Sequence, residues 1–130
     1  TVIDLAPALT ESLKKKLPPE KYSDLKIITG DFFTLEGQYD LVLEQTFFCA
    51  LDPDLRHTYA QKMNSILKPG GKLVGVLFNR DFDGGPPFGG NEAEYRILFS
   101  KYFKINILAT CYNSIEPRRG SEVFIEFEKK

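Results

Sequence analysis

The stretch from Tyr39 to Phe78 constrains this chain most, because two apolar segments of strand length flank an amphipathic segment that stops at Leu67-Lys68-Pro69-Gly70-Gly71. The first segment, Tyr39-Asp40-Leu41-Val42-Leu43-Glu44-Gln45, is apolar through its middle and polar at its carboxyl end. Open α/β sheets hold their ligands at that end, so Glu44 and Gln45 are candidate ligand groups. Asp52-Pro53 offers an N-cap carboxylate and a proline whose missing N–H needs no partner in a first helical turn, which predicts a helix from there. Leu55, Tyr59, Met63, Ile66 and Leu67 fall on one face at helical spacing. Pro69-Gly70-Gly71 ends that helix and turns the chain into Lys72-Leu73-Val74-Gly75-Val76-Leu77-Phe78. That segment has almost no polar alternation, which predicts a strand buried on both faces of a mostly parallel sheet.

The flanking regions continue the alternation of strand and helix. Thr1-Val2-Ile3-Asp4 reads as the tail of a strand, Pro7 to Leu17 as a helix ending before Pro18-Pro19, and Leu25-Lys26-Ile27-Ile28 as a second strand closing on Thr29-Gly30-Asp31-Phe32-Phe33. Such alternation is the signature of a doubly wound α/β sheet. The run Phe82-Asp83-Gly84-Gly85-Pro86-Pro87-Phe88-Gly89-Gly90 is a loop with aromatic tips, because its prolines remove donors and its glycines loosen the backbone. Asn91 caps a predicted helix carrying Ala93, Ile97, Leu98 and Phe99. Tyr102 to Thr110 and Glu122 to Glu128 are predicted as two last strands, antiparallel across the turn Pro117-Arg118-Arg119-Gly120.

Composition narrows the class of function. The 130 residues suit one domain, residues 1–130. A net charge of −1 with scattered charges leaves no basic stripe for a nucleic-acid backbone, and Lys14-Lys15-Lys16 reads as the solvated end of a helix. No apolar run reaches the length of a membrane span and no signal-like segment opens the chain, so a soluble, cytoplasmic protein is expected. Cys49 and Cys111 lie far apart with a single histidine for company, which argues for packed, reduced thiols and against a zinc site.

Three strand ends carry the chemistry. Asp4 stands where nucleotide-binding α/β folds put an acid to accept from ribose hydroxyls, and it equally suits a cap for the following helix. Asp31-Phe32-Phe33 repeats the theme with a carboxylate able to accept from an exocyclic amine and an aromatic able to cover a purine. With Glu44-Gln45, these ends suit an adenosine lying across the sheet edge. A nicotinamide-dependent oxidoreductase shares the acid at Asp4 but leaves the Pro69-Gly70-Gly71 phrase and the Asp31-Phe32 pair unexplained.

Tyr39-Asp40-Leu41-Val42 and Leu67-Lys68-Pro69-Gly70-Gly71-Lys72-Leu73 resemble the recurrent phrases of class I S-adenosylmethionine-dependent methyltransferases. Four further phrases resemble the thiopurine methyltransferase superfamily, especially its thiol and halide methyltransferase branch. They are Gly30-Asp31-Phe32-Phe33, Glu44-Gln45-Thr46-Phe47-Phe48-Cys49-Ala50-Leu51, Gly84-Gly85-Pro86-Pro87-Phe88 and Ile115-Glu116-Pro117-Arg118-Arg119-Gly120-Ser121-Glu122. The resemblance implies a Rossmann-like three-layer sandwich, a mostly parallel sheet with a C-terminal antiparallel strand pair, and S-adenosyl-L-methionine as cofactor. It implies that Asp4 holds the ribose and that Asp31 and Phe32 recognise the adenine. Gln45 falls where plant members carry a tyrosine near the cofactor. Phe47, Phe48, Pro87 and Phe88 would line or cover the acceptor pocket, and Arg118 or Arg119 would attract an anionic acceptor, with core packing and a solvated turn as the ordinary alternatives.

The resemblance also implies a first strand and a glycine-rich loop that these residues do not supply, as in the carboxyl-terminal part of a longer enzyme. Another polypeptide supplies that segment, residues outside this chain do, or the sheet closes differently. The reaction expected is methyl transfer to a small soft nucleophile: a thiol, hydrosulfide, thiocyanate, halide or thiopurine. The contrasting expectation is an inactive fragment or a non-catalytic interaction module of the same fold. Cys49 is not expected to act as a nucleophile, since this chemistry needs no covalent intermediate.

Overall fold

The computed structural model describes all 130 residues, which divide into two compact units, Thr1–Glu36 and Gly37–Lys130. In the first unit, β1 (Val2–Asp4) pairs in parallel with β2 (Ile27–Thr29), and α1 (Pro7–Lys16) connects them. Pro7 begins α1 where no N–H is required, and Lys14, Lys15 and Lys16 are exposed at its carboxyl end, where the helix dipole favours cations. Thr10 is the buried contact of this helix. Its hydroxyl donates to the Pro7 carbonyl at 3.0 Å, leaving the Thr29 hydroxyl to donate to it at 2.6 Å, which ties α1 to β2.

The second unit holds β3 (Tyr39–Gln45), α2 (Arg56–Ile66), β4 (Leu67–Phe78), α3 (Glu92–Ser100), β5 (Phe103–Thr110) and β6 (Glu122–Lys129). Its sheet has the order β3-β4-β6-β5, with β3 and β4 parallel and β6 antiparallel to both neighbours. Three strands therefore run one way and β6 alone runs back, as an α/β, mostly parallel sheet with a C-terminal antiparallel pair requires. The reversed strand lies between β4 and β5, a position that local pattern does not reveal. Strand β1 pairs only with β2, and β3 only with β4, so β1 and β3 each keep an edge without a strand partner.

One face of the larger sheet buries Leu73, Leu77, Phe103, Val123, Ile125 and Phe127 against Tyr59, Met63 and Ile66 of α2 and Tyr95 and Phe99 of α3. Phe99 sits 4.9 Å from Phe127 and 6.1 Å from Phe103, ring centroid to centroid. Each such side chain contributes roughly 1.5–3 kcal/mol by leaving water. Strand β4 differs from the expected strand buried on both faces: Leu73 and Leu77 are buried, while Val74 and Val76 are half-buried. Within this unit only one side of the sheet carries helices, so alternate residues keep partial contact with solvent.

Two helix boundaries also differ. Asp52 caps a short 3-10 turn at Pro53–Leu55, accepting from the Asp54 N–H at 2.9 Å, and α2 begins only at Arg56. Leu55 consequently lies outside the helix and is 39% exposed. Leu67 is buried but already belongs to β4, whose pairing jumps from Tyr39↔Leu67 to Leu41↔Lys72. Lys68 to Gly71 bulge out between these pairs, with Gly70 in the left-handed region at φ 75°. The Pro-Gly-Gly phrase thus bends a strand rather than separating helix from strand.

Gly75 lies opposite Glu44 in the parallel ladder, and a β-carbon there would overlap the Glu44 carbonyl. Backbone cannot yield as a side chain would. Gly75→Ala is expected to destabilise the protein by about 1–3 kcal/mol or more, read as a lowered urea midpoint at unchanged m-value. A midpoint equal to that of the parent would contradict this close approach.

Candidate functional site

The two acids of the first unit come together as the strand pattern required. Asp4 ends β1, Thr29 beside it ends β2, and the Gly30 N–H donates to the Asp4 carbonyl at 3.0 Å, so Asp31 follows two residues beyond the adjoining strand end. Each carboxylate also shapes its own turn. Asp4 Oδ1 accepts from the Ala6 N–H at 2.7 Å, and Asp31 Oδ1 accepts from the Phe33 N–H at 2.8 Å. These short-range bonds fix one oxygen of each carboxylate, with Asp4 half-buried and Asp31 exposed. Asp4 therefore forms the turn that leads into α1, whose N-cap residue is Ala6 and which has no side-chain cap, and that turn occupies one oxygen. Phe32 opens the 3-10 turn Phe32–Thr34, is buried, and packs edge-on against Phe33 with centroids 5.4 Å apart.

In the second unit the carboxyl end of β3 is organised by Glu44. Glu44 is 4% exposed, and Oε1 accepts from both the Phe47 and Phe48 N–H groups at 3.0 Å. Oε2 accepts from the Tyr59 hydroxyl at 2.6 Å. Three donors converge on one buried carboxylate, so the expectation of Glu44 as a ligand group is corrected: its acceptor capacity is spent inside the protein. Burial first, then the neighbouring Glu44 carboxylate, drive the Tyr59 hydroxyl well above its ordinary pKa, so it remains a donor throughout the physiological range. The turn it holds is tight. Thr46 takes φ 58°, a left-handed value uncommon for a residue with a β-carbon, and its hydroxyl donates back to the Gln45 carbonyl at 2.7 Å. Gln45 is exposed at the strand end.

Phe47 and Phe48 separate in role. Phe48 is 1% exposed, with Tyr59, Tyr95 and Phe99 around it at centroid distances of 5.0, 5.7 and 6.0 Å. The expectation of Phe48 as a pocket-lining ring is corrected to core packing, because the Glu44 turn points it beneath the strand end. Phe47 is half-buried, 6.2 Å from the Tyr59 ring. The Gly-Pro loop is attached to this turn, since the Phe88 N–H donates to the Cys49 carbonyl at 2.7 Å. Pro87 is exposed on it and Phe88 half-buried. Arg118 lies over the Phe78 ring at 5.2 Å and reaches Glu122 at 3.4 Å, so it stands at the carboxyl end of β4 rather than in a free turn; Arg119 is exposed. Burial first, then Glu44, push the Cys49 thiol up, while Arg118 and Arg56 pull it down less strongly. A thiol held protonated in this way is a poor nucleophile.

Sequence reasoning missed Arg56, which is 7% exposed and contacts Glu94, the Gly89 carbonyl and the Phe48 ring. Its position at the start of a helix, next to the expected apolar face, was the available signal. No group of three or more metal-ligating side chains occurs, and no helix is long and apolar enough to cross a membrane.

The fold is that of S-adenosylmethionine-dependent methyltransferases. A methyltransferase of that class from Methanosarcina mazei superposes with a TM-score of 0.76 at 15% identity, over 98% of this chain and 80% of that one. The N-methyltransferase NodS of Bradyrhizobium japonicum gives 0.73 at 17% identity, over 98% and 71%. The family profile of thiopurine S-methyltransferase matches residues 4–129, and the chain belongs to that family. A probable thiol methyltransferase 2 of Arabidopsis thaliana is 34% identical over 98% of this chain and 58% of its own length. Thiocyanate methyltransferase 1 of Brassica oleracea is 32% identical over 86% and 50%, and a thiopurine S-methyltransferase of Vibrio cholerae is 40% identical over 61% and 38%. The chain thus spans about half the length of the curated relatives it matches.

Glu44→Gln places an amide N–H₂ where donors already converge, and is expected to cost about 1–3 kcal/mol of stability in urea unfolding. Tyr59→Phe should cost a similar amount by stranding Oε2, and the double variant should lose less than the sum of the two. Strict additivity would remove Glu44–Tyr59 coupling from the account.

Proposed function

We propose that this chain forms part of a methyltransferase that uses S-adenosyl-L-methionine to methylate a small soft nucleophile of the thiol, hydrosulfide, thiocyanate, halide or thiopurine kind. The observation that carries the reading is the pair of acids at neighbouring parallel strand ends, Asp4 and Asp31, within a chain of this family. The donor set fits the cofactor: two carboxylates with one oxygen each committed to a turn can accept from ribose hydroxyls and an adenine amine, and Phe32, buried next to Asp31 in the chain, adds an apolar side chain at that turn. The cofactor, when bound, supplies a methyl group on a positively charged sulfur.

Within the first unit, Asp4 holds the ribose and Asp31 and Phe32 the adenine; in the second unit, Gln45 offers its backbone at the end of β3. Phe47, Pro87 and Phe88 border the acceptor, and the Arg118 guanidinium draws an anionic one. The bound cofactor would supply the methyl group to the acceptor's lone pair and would itself be left as a neutral thioether. A thiol acceptor loses its proton to solvent beforehand. A free thiol with a pKa of about 8.5 already provides a few per cent thiolate near neutrality, so this chain needs no dedicated base. Alignment carries the barrier instead, worth roughly 7–11 kcal/mol when donor and acceptor are held in line. The glycine-rich wall implied by the family resemblance is assigned to a segment outside these residues.

Titration calorimetry of the full-length protein tests the cofactor assignment. Asp31→Ala should weaken S-adenosyl-L-methionine binding about 10–100-fold, the worth of hydrogen bonds to a charged group, and equal affinity would sink the adenine role. Radiolabelled methyl transfer to hydrosulfide, thiocyanate, iodide or a thiopurine is expected. Incorporation into none of them, with cofactor bound, would leave the non-catalytic reading in its place.

A further inference from the structure

The buried cation Arg56 has no part in the chemistry above, yet it touches three segments that bear on the acceptor side. Its Nη1 pairs with Glu94 Oε1 on α3, its Nη2 donates to the Gly89 carbonyl at 2.5 Å, and its guanidinium carbon lies 5.0 Å from the centre of the Phe48 ring. The Nε atom is buried without a hydrogen-bond partner. Burying a guanidinium costs several kcal/mol of hydration, so an ion pair serving only to join α2 to α3 would be better placed in solvent. Glu94 keeps 40% of its side chain exposed and could pair there. The burial instead delivers a donor to Gly89, the last turn of the Gly-Pro loop, and a flat cation to Phe48, which follows directly on the turn carrying Gln45 and Phe47. The loop is otherwise held at its ends by the Phe88 N–H to the Cys49 carbonyl and by the Gly90 N–H to the Arg80 carbonyl at 3.0 Å. From Asp83 to Pro87 it is exposed.

We infer that Arg56 is a positioning residue for the acceptor side: it fixes the Gly89 end of the loop onto Phe48, so the closure of the acceptor pocket depends on a side chain that touches no substrate. This rests on the assignment of Phe47, Pro87 and Phe88 to the acceptor. Lysine is the informative replacement, since it keeps the charge for Glu94 but is a point donor that cannot also stack on Phe48 and reach Gly89.

The test uses the full-length protein and two readouts. In hydrogen–deuterium exchange, Arg56→Lys should speed exchange of the Phe88 and Gly90 amides about tenfold or more while β4 and β6 keep their protection, as local opening without global loss requires. In methyl transfer, KM for thiocyanate should rise about fivefold or more with S-adenosyl-L-methionine affinity within about twofold of the parent, because a loop displaced by an ångström misaligns the acceptor alone. Unchanged exchange at Phe88 and Gly90 overturns the inference, as does faster exchange spread evenly over β4 and β6. Should Arg56→Lys fail to fold, Glu94→Gln, which removes the charge that anchors the guanidinium and so loosens its hold on Gly89, should shift the same two amides less and in the same direction; no shift there overturns it too. The exchange readout requires no turnover, so an inactive protein that shows it would count against the methyl-transfer reading and not against Arg56.

Discussion

The end of β3 depends on one buried carboxylate. Glu44 sits in a parallel strand whose neighbour, Gly75, has no side chain, and that space lets the two backbones approach. The carboxylate then meets two backbone N–H groups of the following turn and the hydroxyl of Tyr59 on α2. A carboxylate left without these partners inside the protein would be costly, whereas with all three it makes strand, turn and helix a single unit. The left-handed Thr46, the core position of Phe48 and the course of the chain toward Cys49 all follow from it. Cys49 in turn receives the Phe88 N–H, so the loop is tied to the same turn.

The acids of the first unit obey a different rule. Asp4 and Asp31 accept from N–H groups two residues ahead, a local arrangement that any Asp at a turn can make. A short-range bond of this kind does not compete with ligand binding. It commits one oxygen, holds the other in a defined direction and keeps the carboxylate near solvent. Turn formation thus leaves the second oxygen of each carboxylate outside that bond, which a choice between helix cap and ribose acceptor does not anticipate.

Much of the fold was legible because its signals are local. Asp52, Pro53, Gly70 and Asn91 punctuate the chain where their backbone preferences require, and the alternation of Val123, Ile125 and Phe127 with Phe124, Glu126 and Glu128 separates the faces of β6. Errors arose where two local readings overlap. Leu67 fits the apolar face of a helix and the first position of a strand equally well, and only pairing with Tyr39 decides between them. Glu44 beside Gln45 looks like one polar strand end, but alternation along a strand sends the two side chains to opposite faces, one toward Tyr59 and one to solvent. Phe47 and Phe48 divide for the same kind of reason.

The amino-acid order by itself determined the succession of strands and helices, the acids at the ends of β1 and β2, and the phrases that join this chain to its family, since each is written within a few residues. Tertiary structure alone decided that β6 inserts between β4 and β5, that Glu44 is spent internally, and that Arg56 gathers Gly89 and Glu94, which lie 33 and 38 residues away. Burial of a charge is a property of what surrounds it, and those surroundings are assembled from segments that no local pattern connects.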